Sequence, residues 1–448
     1  MKKENTASLP GYFLFSLYII FFISIVFSLR AISSISIGLI VATGLTRGKG
    51  MFNQLFRNKS SFFFLLGCSL FFILQCFSLT YTHNVPEGIK LLQKSSGIIF
   101  IPFAIISTSR LLSRESYRKI CFYLAVIVCA GLLYCLAVNV LKYFLGAPVS
   151  SFFYHDLVKP LSQHAIQFSI LVFIALVLLL EPLKANGSYF MKSLFPSMII
   201  FLSLFLVLLS SKLIICFYVL YLAFFFFRKK VYERKNQVFI LVFIAAVILS
   251  IITPNPVGNR FRGMFTGNSM LFVQEKFSPG IYFNGIQFRL LEWRFTYEIL
   301  NEQNAWLSGL TPGDAQPFLN KKYRETNMYT GIPGTPDHGY LNYHTHNQFL
   351  QSLLENGLPA LIIFLFLCFS LIKMAGNSRR TELKWLTALL LIYCVTDAPF
   401  ETQYGIVIFV FFPAFLYVTS HSVLETGPPL EKPYHPNYIK AKALKQPN

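Results

Sequence analysis

Long apolar runs, separated by short polar or charged connections, dominate the chain. A helix needs about 20 mostly apolar residues to cross a bilayer, because its backbone groups must bond internally where no water reaches them. Twelve runs approach that length: 11–29, 31–45, 61–79, 96–108, 120–141, 166–182, 194–211, 212–227, 237–252, 357–374, 385–397 and 403–420. The second, fourth and eleventh are short. The first is too long for a cleavable signal, lacks a small-residue cleavage site and is followed by further runs. The pattern predicts an all-α polytopic membrane protein with about 12 transmembrane helices.

The runs are interrupted at length only once. Residues 253–350 hold many of the chain's Gly, Pro, Asn and Tyr and suit a small ordered lid. The chain therefore divides into an N-terminal transmembrane bundle of about nine helices (1–252), a large loop (253–350), C-terminal transmembrane helices (351–420) and a tail (421–448). Pro428, Pro429 and Pro433 make the tail irregular.

Charge sets the orientation. Arg47, Lys49, Arg57 and Lys59 follow the second run, and Arg110, Arg114, Arg118 and Lys119 the fourth. Arg228, Lys229, Lys230, Arg234 and Lys235 follow the eighth, and Arg379, Arg380 and Lys384 the tenth. Each cluster follows an even-numbered run, so by the positive-inside rule these connections and both termini are cytoplasmic. Lys2, Lys3, Lys440, Lys442 and Lys445 add to that side. The odd-numbered connections, including 253–350, face outward.

Composition narrows the class. The chain is 54% hydrophobic and 13% charged, against about 25% charged for soluble proteins. That excludes a disordered chain, a secreted disulfide scaffold and a nucleic-acid-binding domain. The net charge of +20 is mostly a topology signal. The eight cysteines lie in or beside apolar runs, without pairing or metal-ligand spacing, and read as small buried hydrophobes.

Candidate chemistry lies on the outward side, with His83, His155, His164, His338, His344 and His346. The runs themselves carry few ionisable groups, unlike a proton-coupled transporter. Arg289 and Trp293 share one face of a helical pattern that continues to Leu300. The Arg289 guanidinium suits a phosphate, or is satisfied by a loop carbonyl or acid. His346 and Asn347 start another helical pattern, which stops at Gly357. His346 is either part of a helix cap or a neutral-pH base. A metal reading of His344 and His346 with His338 and Asp337 lacks completing carboxylate or Cys spacing, so no metal is expected. Lys212, in the Ser210-Ser211-Lys212 hairpin, either snorkels or points into a pocket. Asp397 and Glu401 lie in the last outward turn, either solvated or partnered by Arg289, Arg294 or Lys212.

Taken in order, these features resemble the O-antigen ligase family, which includes O-antigen polymerases and protein O-oligosaccharyltransferases. The family has a basic residue after Ser at a late outward hairpin, here Lys212. An Arg four residues before a Trp then opens the large loop, here Arg289 and Trp293. A Gly-rich turn follows, here 308–313, and then a His-Asn pair leads a helix ending Glu355-Asn356-Gly357-Leu358. The family usually carries Arg at the Lys212 position; Lys keeps the charge but loses the planar fork.

The resemblance implies an inverting, metal-independent glycosyltransferase of the C-type membrane fold. It needs no cofactor and works at the periplasmic face of the bacterial inner membrane. Its donor would be a glycan on undecaprenyl diphosphate, and its acceptor a hydroxyl of a glycolipid or glycan, lipid A–core for a ligase. His346 would be the catalytic base. Arg289, Lys212 and Arg294 would hold the diphosphate, supported by Asn347, Trp293, Glu401 and His344. Polymerase and protein glycosylation are the alternatives within this chemistry. A twelve-helix polysaccharide transporter is the rival from another class.

Overall fold

The computed structural model describes residues 9–46, 53, 55, 56, 58–180, 189–228, 234–263 and 270–421. The predicted topology markers Lys2, Lys3, Arg47, Lys49, Arg57, Lys229 and Lys230, and the tail beyond residue 421, lie outside the described residues.

Among the described residues the chain is helical throughout and contains no strand. Every predicted apolar run is occupied by a helix. The helices differ in length, however. Lys59–Ser78, Val85–Thr108, Glu115–Phe144, Gln348–Asn377 and Gln403–Ser420 are long and apolar enough to cross a membrane. Two bent pairs, Tyr154–Leu161 with Ala165–Leu180 and Leu241–Ile252 with Pro256–Arg262, raise that number from 5 to 7 if each is one span. Pro10–Val26, Arg30–Leu45, Leu194–Leu208 and Lys212–Phe225 are shorter apolar helices.

The fourth run begins earlier than its hydropathy suggests. The amphipathic helix Val85–Ser95, capped by Asn84 with Pro86 and Glu87 in its first turn, leads into Gly97–Thr108. Its polar face hides it from a search for apolar runs.

One extended core joins the apolar helices, with the Gln403–His421 helix near its centre. Phe21, Phe22, Phe411 and Phe415 of this core pack with edge, tilted and stacked ring contacts. Gly67 allows the Lys59–Ser78 helix to approach Leu367, whose Cα would lie 3.2 Å from an added Cβ.

The loop between the apolar runs has a core of its own. Phe288, Leu291, Phe295 and Ile299 line one face of the Gly285–Glu302 helix and meet Leu319 and Tyr323 of the Pro312–Glu325 helix. Asn284 and Gln287 close a capping box at the start of the first of these helices. The second is tied to the N-terminal end of Val85–Ser95 through Asp314. Its carboxylate accepts from the backbone N–H groups of His83 (2.8 Å) and Asn84 (3.0 Å) and from the hydroxyls of Thr82 and Thr311.

Candidate functional site

Two sequence signatures meet at a break in the Gln348–Asn377 helix. Asn356 and Gly357 leave helical geometry there, and Gly357 takes φ +66°. The carbonyls of Leu354 and Glu355, freed by the break, accept the N–H groups of Leu310 (2.9 Å) and Thr311 (2.6 Å). The Leu358 N–H in turn donates to the Trp306 carbonyl at 2.9 Å. The Gly-rich turn is thus the missing hydrogen-bond partner of the broken helix. Only glycine fits at either contact. A Cβ on Gly309 would lie 2.4 Å from the Glu355 carbonyl, and one on Gly357 2.2 Å from the Leu307 carbonyl.

This clasp fixes the N-terminal half of the helix, at whose start the histidines lie. Asn347 is its N-cap and accepts from Phe349 (2.9 Å) and Leu350 (3.2 Å). The first turn is bound to the turn at 397–402: the Gln348 N–H donates to the Asp397 carbonyl, and its side chain accepts from the Phe400 N–H. His346 precedes the cap with φ +47°, a left-handed conformation unusual for a non-glycine residue. Ser210, two residues before Lys212, and Tyr154 also have positive φ. Such strain persists only where surrounding contacts enforce it.

The tautomers of both histidines follow from their partners. His346 Nδ1 lies 2.8 Å from the Glu292 carboxylate and 3.0 Å from the His344 carbonyl. Both partners are acceptors, so Nδ1 carries the proton, and in the neutral ring Nε2 keeps a free lone pair. His344 is the reverse. Its Nδ1 accepts the His346 backbone N–H at 3.1 Å, so Nε2 carries the proton and faces Asp397 at 3.6 Å.

Glu292 was not among the residues singled out from the sequence. It is fully buried, one helical turn beyond Arg289, with Tyr323 donating to its second oxygen at 3.3 Å. The i, i+3 spacing from Arg289 is present in the sequence but does not distinguish a buried acid from a solvated one. Burial raises its carboxyl to about 7, although the His346 imidazole pulls the other way. Burial likewise favours the neutral form of His346, but the Glu292 carboxylate outweighs it and the net shift of the imidazole is upward. His344 is pushed down to about 4 by burial first and by His346 second.

Of the predicted cations, Arg289 stands closest to this pair. Its Nε donates to the Thr396 carbonyl and one terminal nitrogen to the Gly285 carbonyl, both at 2.7 Å. These bonds hold the guanidinium between the Gly285–Glu302 helix and the turn that follows Thr396. Its charge acts on both Glu292 and His346. Lys212 is near enough to feel Arg289 as well, with its Nζ 6.0 Å from the Phe261 ring. Among the described residues neither cation lies within ion-pair distance of a carboxylate. Arg294 is differently placed: it pairs with Glu298 at 3.1 Å and donates to the carbonyls of Phe272 and Gln274. Trp293 is half-buried, and its indole N–H has no partner among the described residues.

Glu401 lies on another side. It pairs with Lys94 at 3.4 Å, and Lys94 also donates to its carbonyl at 2.8 Å. Both residues line a cavity of about 1060 Å³ that also takes in His164, Gln167 and His344. Apolar residues of the bundle, including Phe21, Ile37, Phe100 and Ile406, form its wall. His346, Arg289 and Lys212 are not among its lining residues, so the predicted residues fall into two groups that meet at the two histidines.

His344, His346 and Asp397 each offer an atom within 4.8 Å of the others, a spacing that suits a metal ion. The donor set does not fit one. The protonated Nε2 of neutral His344 presents a hydrogen, not a lone pair, toward Asp397.

Comparison with known families agrees with this architecture: the O-antigen ligase model matches residues 197–365. This stretch belongs to the O-antigen ligase family. It contains Lys212, Arg289, the Gly-rich turn, both histidines and the broken helix. No curated protein matches the chain. The matched stretch supports a glycosyl transfer of the O-antigen ligase or polymerase type, and the long apolar helices suit a multi-pass membrane protein.

Proposed function

We propose that the protein transfers a glycan from undecaprenyl diphosphate to an acceptor hydroxyl at the periplasmic face of the inner membrane, with inversion and without a metal. The observation that carries this reading is the free Nε2 of His346 beside an unpaired Arg289. A carboxylate and a carbonyl hold the imidazole by its other nitrogen.

In the reaction the acceptor oxygen attacks the anomeric carbon, and the bond from that carbon to the phosphate oxygen breaks. The hydroxyl proton passes to His346 Nε2, and the lipid diphosphate leaves with the bonding electrons. Glu292 stabilises the imidazolium that forms, as the carboxylate of a hydrolase triad does. Arg289 and Lys212 face the charge that develops on the leaving group. A diphosphate neutralised by fixed cations does not require Mg²⁺. The cavity beside His344 provides an apolar wall for a lipid-borne substrate.

A lipid A–core acceptor is our first choice, with another repeat unit second. The test is complementation of a strain lacking the gene. His346→Ala and Arg289→Ala should insert normally yet fail to restore surface glycan. Accumulated long lipid-linked chains identify a ligase, and display of single repeats a polymerase. Full complementation by both variants would dispose of the assigned site.

A further inference from the structure

Lys212 brings a positive charge to this end of the bundle, but lysine has no planar fork of donors. The fold supplies one nearby. Arg260 lies on the short Pro256–Arg262 helix beside Phe261, the ring that Lys212 approaches at 6.0 Å. The charges of Arg260 and Arg289 both act on Lys212, which joins the three into one positive cluster. Among the described residues no carboxylate pairs with any of them.

Arg260 is held in a way that leaves its donors free. Its guanidinium carbon is 3.2 Å from the centre of the Tyr154 ring, a stacked cation–π contact that fixes the plane without using an N–H. Its Nε is buried and has no hydrogen-bond partner among the described residues. Its neighbour Arg262 differs: one terminal nitrogen donates to the Ile252 carbonyl at 3.0 Å and the other to Asn259 at 2.7 Å. A buried donor without a partner is costly, and three adjacent like charges repel. Both costs are relieved by an anion with several acceptor oxygens.

We infer that Arg260 is a ligand of the donor's diphosphate, supplying from the Pro256–Arg262 helix the planar fork that Lys212 cannot provide. The inference rests on the proposed function and adds to it a residue and a division of labour. Lys212 contributes a point charge, and Arg260 contributes directional bonds to two phosphate oxygens.

The experiment is binding of undecaprenyl diphosphate, with undecaprenyl monophosphate as control, to the full-length protein in detergent. Donor KM is measured alongside. Arg260→Ala should weaken diphosphate binding about 10- to 100-fold and change monophosphate binding much less. Arg260→Lys, which keeps the charge and the aliphatic stem, should recover only a minor part. Lys212→Arg, added to Arg260→Ala, should restore most of the loss by returning the fork. Wild-type binding by Arg260→Ala with a defective Arg289→Ala would overturn the role of Arg260 and leave the proposed function standing. Wild-type binding and transfer by both variants would remove the proposed function as well. Should Arg260→Ala not fold, full activity of Arg260→Lys would still defeat the fork argument.

Discussion

His346 lies under two constraints, a left-handed backbone and a protonated Nδ1 with two acceptors. The backbone turn places the ring over Glu292, and the acceptors free Nε2. His346→Ala should therefore lower transfer about 10²- to 10⁴-fold, the usual contribution of a positioned base, read as kcat in a transfer assay with protein level held constant. Glu292→Gln is more diagnostic. The Glu292 carboxylate raises the His346 imidazole, so removing its charge lowers that pKa. The acid limb of the kcat/KM profile should move to lower pH. The plateau should fall about 10²-fold, because a weaker base faces the acceptor. A Glu292→Gln profile with an unmoved acid limb would mean that His346 does not titrate in catalysis. Arg289 and His346 were legible because they lie in recognisable patterns. Glu292 was not, because a buried acid on an apolar helix face is indistinguishable in sequence from a solvated one. Only the fold brings to it the His346 imidazole, which packs on Phe288, and the Tyr323 hydroxyl.

The working parts at the scale of elements are a broken helix and the turn that mends it. The clasp of 306–311 on 354–358 holds the histidine-bearing half of the helix at a fixed angle to its membrane half. Gly309→Ala and Gly357→Ala should each destabilise the protein by about 1–3 kcal/mol, measured as a lower midpoint of thermal unfolding in detergent. Both should also reduce transfer although neither touches the substrate. An unchanged midpoint would mean that the clasp is not a stabilising contact. Asp314 links the same lid to the Val85–Ser95 helix. Burial works against its charge, but the hydrogen bonds it accepts prevail and its carboxyl titrates below the ordinary value. Its contribution to stability is present above the unfolded-state carboxyl pKa of about 4 and is lost as pH falls through the folded value. Asp314→Asn should flatten the fall in unfolding midpoint below about pH 4. The helix stop at Gly357 was visible in sequence, as was the Gly-rich turn. Their mutual contact was not, since it joins residues about fifty positions apart and depends on carbonyls that exist as free acceptors only once the helix breaks.

The described residues form a helical body of apolar helices, with a second core built from the helices Gly285–Glu302 and Pro312–Glu325. Apolar runs made that class legible, because lipid leaves the backbone few alternatives to helix. How many helices reach across was less legible. Runs of similar hydropathy became straight spans, bent pairs and short helices according to packing, which hydropathy does not encode. The orientation proposed from basic residues has a direct consequence. In a cysteine-free background, a cysteine at the exposed Leu307 should react with an impermeant maleimide added to spheroplasts, and one at Arg379 should not. The reverse pattern would place the histidines on the cytoplasmic side. An imidazole and unpaired cations that transfer a glycan from a lipid diphosphate need no gradient. Purified protein in detergent, given a lipid diphosphate-linked glycan and a hydroxyl acceptor in the presence of a chelator, should therefore transfer the glycan, and folded His346→Ala or Arg289→Ala should give none above background. Equal transfer by all three proteins would show that neither side chain takes part.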